Sequence, residues 1–292
     1  MSSILIPVDF SATSKNNIQY GLNLARETGR NIELLYVVQI DYPSYGQLGP
    51  IEPLSNPAGT GTISPINIKE QEETAKNEFD KLLLEIKSNI PEDVNIETNI
   101  RTGIYPDVVI EESSRKKIEI ILLNSRGKEE KLQGMAIESI DAILESAPCP
   151  TIIISPQTRF ENIKKILYAT DFQKEDIESL KELSGFAGRF KADILALHIT
   201  ENPDFRERIE KKGFNELVSE KVGYPHISVM SMPSDKIAKG IANYAYNTSV
   251  DMIALLKENK GFWKSLFSKS TTERLMKETD LPIIVFNQAN KG

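Results

Sequence analysis

The sequence predicts an α/β protein: two tandem doubly wound domains, each with a five-stranded, mainly parallel sheet flanked by helices. Three observations carry that expectation. Ile4-Leu5-Ile6-Pro7-Val8-Asp9-Phe10 returns as Ile166-Leu167-Tyr168-Ala169-Thr170-Asp171-Phe172, 162 positions later (171 less 9), and self-similarity at a fixed offset marks a repeated unit. Short, nearly continuous apolar runs alternate with helix-period segments, the pattern of a parallel sheet covered on both faces. A chain of 292 residues also has the length for two units of roughly 150 residues each.

The elements follow in order. Ile4–Val8 is the first strand. Ser14 to Thr28 places Ile18, Leu22 and Ala25 on one helix face and stops at Gly29, which suits the left-handed position after a helix. Ile32–Val38 is the second strand. Asp41 to Asn67 is rich in Pro, Gly and Ser and reads as a long loop. A helix at Glu70–Ser88, a strand at Val94–Ile100, a helix at Pro106–Lys117, a strand at Ile118–Leu123, a helix at Ile137–Ser146 and a strand at Thr151–Ile154 complete the first unit. The second repeats the strands at Ile166–Ala169, Ile194–Ile199, Ile227–Met230, Met252–Leu256 and Ile283–Phe286. Late in the repeat the offset falls to 132 (Pro282 less Pro150), so the first unit holds 30 extra residues (162 less 132). The long loop accounts for most of them. The polar stretch Ser155–Asn162 separates the two, giving domains at residues 1–156 and 161–288.

Composition narrows the chemistry. With 35 basic and 42 acidic residues the formal charge is −7, which disfavours nucleic acid as a partner. Cys149 is the only cysteine, so there is no intrachain disulfide or thiolate metal cluster. His198 falls in a predicted strand and reads as a core residue; His226 sits before a strand without an evident partner. No metal site and no membrane span are expected, and the opening residues lack the features of a signal peptide.

Asp9 and Asp171 each follow a first strand and precede a helix, at the edge where open α/β sheets bind ligands. A carboxylate there can take a ribose hydroxyl, a base amino group or a metal. It can equally cap the next turn, a role for which Ser11 and Ser14 compete in the first unit.

The strand–Asp–helix opening, the long second loop and the late Ala147-Pro148-Cys149-Pro150 turn into Thr151-Ile152-Ile153-Ile154, found with the repeat, make the chain resemble a tandem universal stress protein. The resemblance implies a cytoplasmic stress-response protein whose two domains pair within the chain through the last strands, Thr151–Ile154 and Pro282–Phe286, with a further homodimer possible. Some members bind ATP through a loop of the form Gly, two residues, Gly, nine residues, Gly, then Ser or Thr. Its glycines let the main chain approach the phosphates, and the hydroxyl at the helix start donates to them.

The matching positions here are Asn124, Gly127, Ile137 and Glu138 in the first unit, and Leu256, Asn259, Lys269 and Ser270 in the second. Glu138 would face a triphosphate with like charge. Two such charges about 4 Å apart repel by about 1 kcal/mol in water and about 4 kcal/mol at the effective dielectric of a protein surface. The expectation is no cofactor, with ATP disfavoured. Asp9, Arg126 and Gly127, and Asp171, Lys269, Ser270 and Thr271, remain the candidate nucleotide or anion site. The segment Gly261–Phe267, with Phe262, Trp263 and Phe267, is either a partner surface or packing for its own sheet edge.

No base–nucleophile pair or ligand cluster shows in the spacing, so a non-catalytic adaptor with an unidentified protein partner is the leading expectation. An ATP-binding regulator or slow ATPase, and a sensor of another small molecule or anion, are the alternatives.

Overall fold

The structure is a computed structural model that describes residues 2–39, 65–115, 117–125, 137–201, 204–257 and 269–287; the side chains of 65–67, 137–138, 257 and 269–273 are outside the description. The N-terminal half runs β1 (Ser3–Pro7), α1 (Ala12–Thr28), β2 (Asn31–Gln39), α2 (Pro65–Ile86), β3 (Ile96–Gly103), α3 (Tyr105–Ser113), β4 (Ile118–Asn124), α4 (Ile137–Ser146) and β5 (Thr151–Ile154). The C-terminal half repeats it as β6 (Lys165–Ala169), α5 (Glu175–Phe190), β7 (Asp193–Thr200), α6 (Phe205–Lys221), β8 (Ile227–Pro233), α7 (Ile237–Asn247), β9 (Met252–Lys257), α8 (Lys269–Glu278) and β10 (Ile283–Asn287).

The two five-stranded sets expected from the sequence are joined in one ten-stranded sheet, ordered β3-β2-β1-β4-β5-β10-β9-β6-β7-β8. Every neighbouring pair is parallel except the central one, where Ile283 faces Ile153, Ile284 faces Ile152 and Val285 faces Thr151 in antiparallel register. The last strands are therefore the contact elements, and each covers an apolar edge of the other that would otherwise invite foreign strands. Alternate strand residues feed two cores. Ile4 and Ile6 join α1, α2, α5 and α6 on one face, while Leu5, Ile121 and Leu123 join α3, α4, α7 and α8 on the other.

Local signals hold where the chemistry is strict. Ser11 caps α1 by accepting the Ser14 N–H, and Gly29 ends it at φ 64° with its N–H turned back to Ala25 and Arg26. Lys191 occupies the matching place after α5 at φ 54°, in a conformation that costs a residue with a Cβ about 1–2 kcal/mol. The third strand starts two residues later than its apolar run suggests, and α3 ends at Ser113 rather than Lys117. The Asp41–Asn67 loop is described only from Pro65, where α2 begins, and the Gly261–Phe267 segment lies outside the described residues.

Candidate functional site

The first-strand acid of the N-terminal half is held in a turn. Asp9 Oδ1 accepts the Ser11 N–H at 3.0 Å and the Ser14 hydroxyl, while Ser14 Oγ accepts the Asp9 N–H at 3.0 Å. Both readings of this carboxylate thus keep a foothold: Oδ1 closes the turn before α1, yet the residue stays exposed at the carboxyl end of β1. Phe10 follows at φ 61°, its ring stacked on Tyr36 at 5.0 Å and edge-on to Phe79 at 5.0 Å. Those contacts hold a bulky residue in the left-handed region. Asn124, at the end of β4, donates to the Thr13 carbonyl at 3.0 Å, and Asn17 donates back to Leu122 O at 3.2 Å, so α1 is bolted to the strand beside it. Tyr105, at the start of α3, joins this edge; burial and then the negative charge of Asp9 hold its phenol well above the usual range. Tyr105 belongs to no motif, so nothing in the sequence marks it.

The C-terminal half builds the same turn with different chemistry. Phe172 repeats the left-handed backbone at φ 66° and packs on His198 and Phe214, at 4.7 and 5.1 Å. His198, within β7 near its carboxyl end, is half-buried and not fully in the core, with Nδ1 2.9 Å from the Thr170 carbonyl. Position 176, which matches Ser14, holds a carboxylate that is 3% exposed. Asp176 accepts the Tyr168 hydroxyl at 2.6 Å, the Thr170 hydroxyl at 2.7 Å and the Gln173 N–H at 3.0 Å, together with the backbone of Asp171. Burial raises its pKa from the ordinary carboxylate range, against the pull of these four donors.

The two turns do not converge. Because β5 and β10 run antiparallel, the carboxyl ends of β1 and β6 point in opposite directions, and Asp9 and Asp171 lie beyond opposite strand ends of the sheet. Arg126 and Gly127 lie outside the described residues; Lys269, Ser270 and Thr271 begin α8, but their side chains are not described. The structure thus fixes the position of the helix start and not the loop that leads to it. His226 gains a neighbour in Asp193, 3.3 Å from its Nδ1. Cys149 is half-buried, its thiol pushed up to about 12 by burial first and by the charges of Glu182 and Glu119 after it; the nucleophilic thiolate is suppressed there. No group of metal-binding side chains occurs among the described residues, and no described helix is long and apolar enough to cross a membrane.

Comparison with known proteins places this geometry. The chain is 25% identical over 299 aligned residues to a universal stress protein of Synechocystis sp., covering 98% of this chain and all of that one. A universal stress protein of Methanocaldococcus jannaschii is 24% identical over 153 residues, covering 52% of this chain and 80% of its own. Among solved structures, a universal stress protein from Archaeoglobus fulgidus superposes with a TM-score of 0.70 at 16% identity, covering 99% of this chain and 97% of that one, a likeness of fold. The model of the universal stress protein family matches residues 1–155, more than half of the sequence. The chain belongs to the universal stress protein family.

Proposed function

We propose that residues 1–156 and 161–288 are two copies of the family's domain, and that the chain is a cytoplasmic stress-response protein acting as a non-catalytic adaptor or regulator. The observation that supports it most is Asp176. Three acids, Glu175, Asp176 and Glu178, occupy the first turn of α5, and the partial positive charge of that helix start is already met by the chain's own carboxylates. A polyphosphate drawn to this edge would meet negative charge. In the N-terminal half Glu138 takes the place of the phosphate-binding hydroxyl, and both loop signatures are degraded. Isothermal calorimetry with ATP and magnesium tests the reading. No saturable heat at micromolar concentrations is expected; a micromolar dissociation constant would overturn it.

One observation favours ATP binding by the N-terminal half instead. Asp9 remains exposed, and among the described residues only its Oδ1 is engaged, which leaves Oδ2 for a ribose hydroxyl. On that reading Asp9→Asn weakens the retention of labelled ATP in equilibrium dialysis and Glu138→Ser strengthens it.

A further inference from the structure

A cavity of about 590 Å³ opens at the seam of the two halves, where the linker after β5 meets the starts of β9 and β10. None of its lining residues belongs to the Asp9 or the Asp171 turn, so the cavity is independent of whatever those turns hold. Tyr20 enters from α1 as part of the wall. It is 3% exposed, its ring meets Phe160 edge-on at 5.2 Å, and its hydroxyl has no hydrogen-bond partner among the described residues. Buried phenols ordinarily find one, and here the open space is where a partner can reach it.

The wall has two characters. Ile163, Ala245 and Leu281 line an apolar part, beside the exposed ring of Tyr246. Glu161, Asp251, Glu278 and Asp280 bring four carboxylates, against the one guanidinium of Arg159. Arg159 turns toward Asn16 Oδ1 and the Pro156 and Thr158 carbonyls, and Lys165 Nζ donates to Thr248 O at 3.0 Å. Asp251 Oδ2 accepts the Lys164 and Lys165 N–H groups at 2.7 and 2.8 Å, which leaves Glu161, Glu278 and Asp280 to set the sign of the field. The pseudo-symmetric corner is built otherwise: Glu182 stands at the position matching Tyr20, and Asn287 donates to the Ala147 carbonyl at 2.6 Å.

We propose that this seam cavity is a binding site for an organic cation, a primary ammonium on an apolar or aromatic stem. The ammonium meets the carboxylates, the stem lies on the apolar wall and the aromatic rings, and the Tyr20 hydroxyl accepts a hydrogen bond. The volume suits a ligand of that size, and ammonium groups are drawn to aromatic faces as well as to carboxylates.

Calorimetry with phenethylamine tests it, with 3-phenylpropionate as the stem bearing the opposite charge and ethylamine as the charge without the stem. One-to-one binding of phenethylamine is expected, at least about tenfold tighter than either control, since one lost contact of either kind is worth about that factor. Tyr20→Phe, which deletes only the hydroxyl, should weaken it about threefold to tenfold. The surface pair Glu278→Gln with Asp280→Asn should weaken it by a similar factor without touching the core. Equal affinity for the carboxylate control, binding unchanged in both variants, or no saturation by millimolar phenethylamine would each overturn the site.

Discussion

Ser14 and Asp176 stand 162 positions apart (176 less 14) and make equivalent contacts, each accepting the backbone N–H of the first-strand acid five residues before it. The serine does so with a hydroxyl that also donates back to Asp9. Asp176 does so with a buried carboxylate that gathers three further donors. The two positions should therefore differ in what a substitution costs. Ser14→Ala removes one bond from the backbone and one to the Asp9 carboxylate, which is exposed enough for water to replace the serine, and should lose about 1 kcal/mol. Asp176→Asn sets an amide N–H against the surrounding donors and should lose about 1–3 kcal/mol. Urea denaturation of both variants measures the difference, and equal losses would contradict the account.

Cys149 gives a pH dependence with a definite sign. Its folded-state pKa of about 12 lies above the ordinary thiol value of about 8.5. The native state therefore holds the proton more tightly than the unfolded chain. The contribution to stability is fully present below about pH 8.5 and is lost as pH rises toward 12. Against a Cys149→Ala reference, the stability of the parent protein should fall across that window. Native labelling by a disulfide reagent at pH 8 should run on the order of a thousandfold slower than in the urea-unfolded chain.

Gly29 and Lys191 share a left-handed backbone at the ends of matching helices. Lys191→Gly should stabilise the protein by about 0.5–1 kcal/mol, and Gly29→Lys should destabilise it by a similar amount. Melting temperatures by calorimetry would show shifts of opposite sign.

Thr151 lies at the central strand pair opposite Val285, 1% exposed, with no hydrogen-bond partner for its hydroxyl among the described residues. Thr151→Val keeps the shape and removes the buried oxygen, so it should stabilise the protein by about 1 kcal/mol. A lower urea midpoint for the variant would mean that the hydroxyl has a partner after all.

The repeat makes much of the fold readable. One offset matches Asp9 to Asp171, and apolar runs ending at turn residues locate the strands, because a strand buried on both faces has little choice of composition. Gly29 is legible for a similar reason: few residues accept that backbone. Asp176 is not. Three acids within one turn of a helix start look like a solvated cap, and only the match to Ser14 points to a carboxylate turned inward. The strand pattern puts His198 in the core because it is blind to depth along the strand, and near the carboxyl end of β7 the core thins and the ring is only half-buried, with Thr170 O beside it. Tyr20 keeps the helix period, yet periodicity is blind to whether a phenol finds a partner. The candidates Arg126 and Gly127 sit in a loop outside the described residues, and there the sequence still speaks alone.

Among the described residues the antiparallel junction between β5 and β10 is the only one, and it makes the sheet bipolar. A small molecule seated at one mouth cannot touch the other, and anything that engages both must arrive from two sides. Whatever the two mouths hold is kept on opposite sides of the molecule, a full strand length apart.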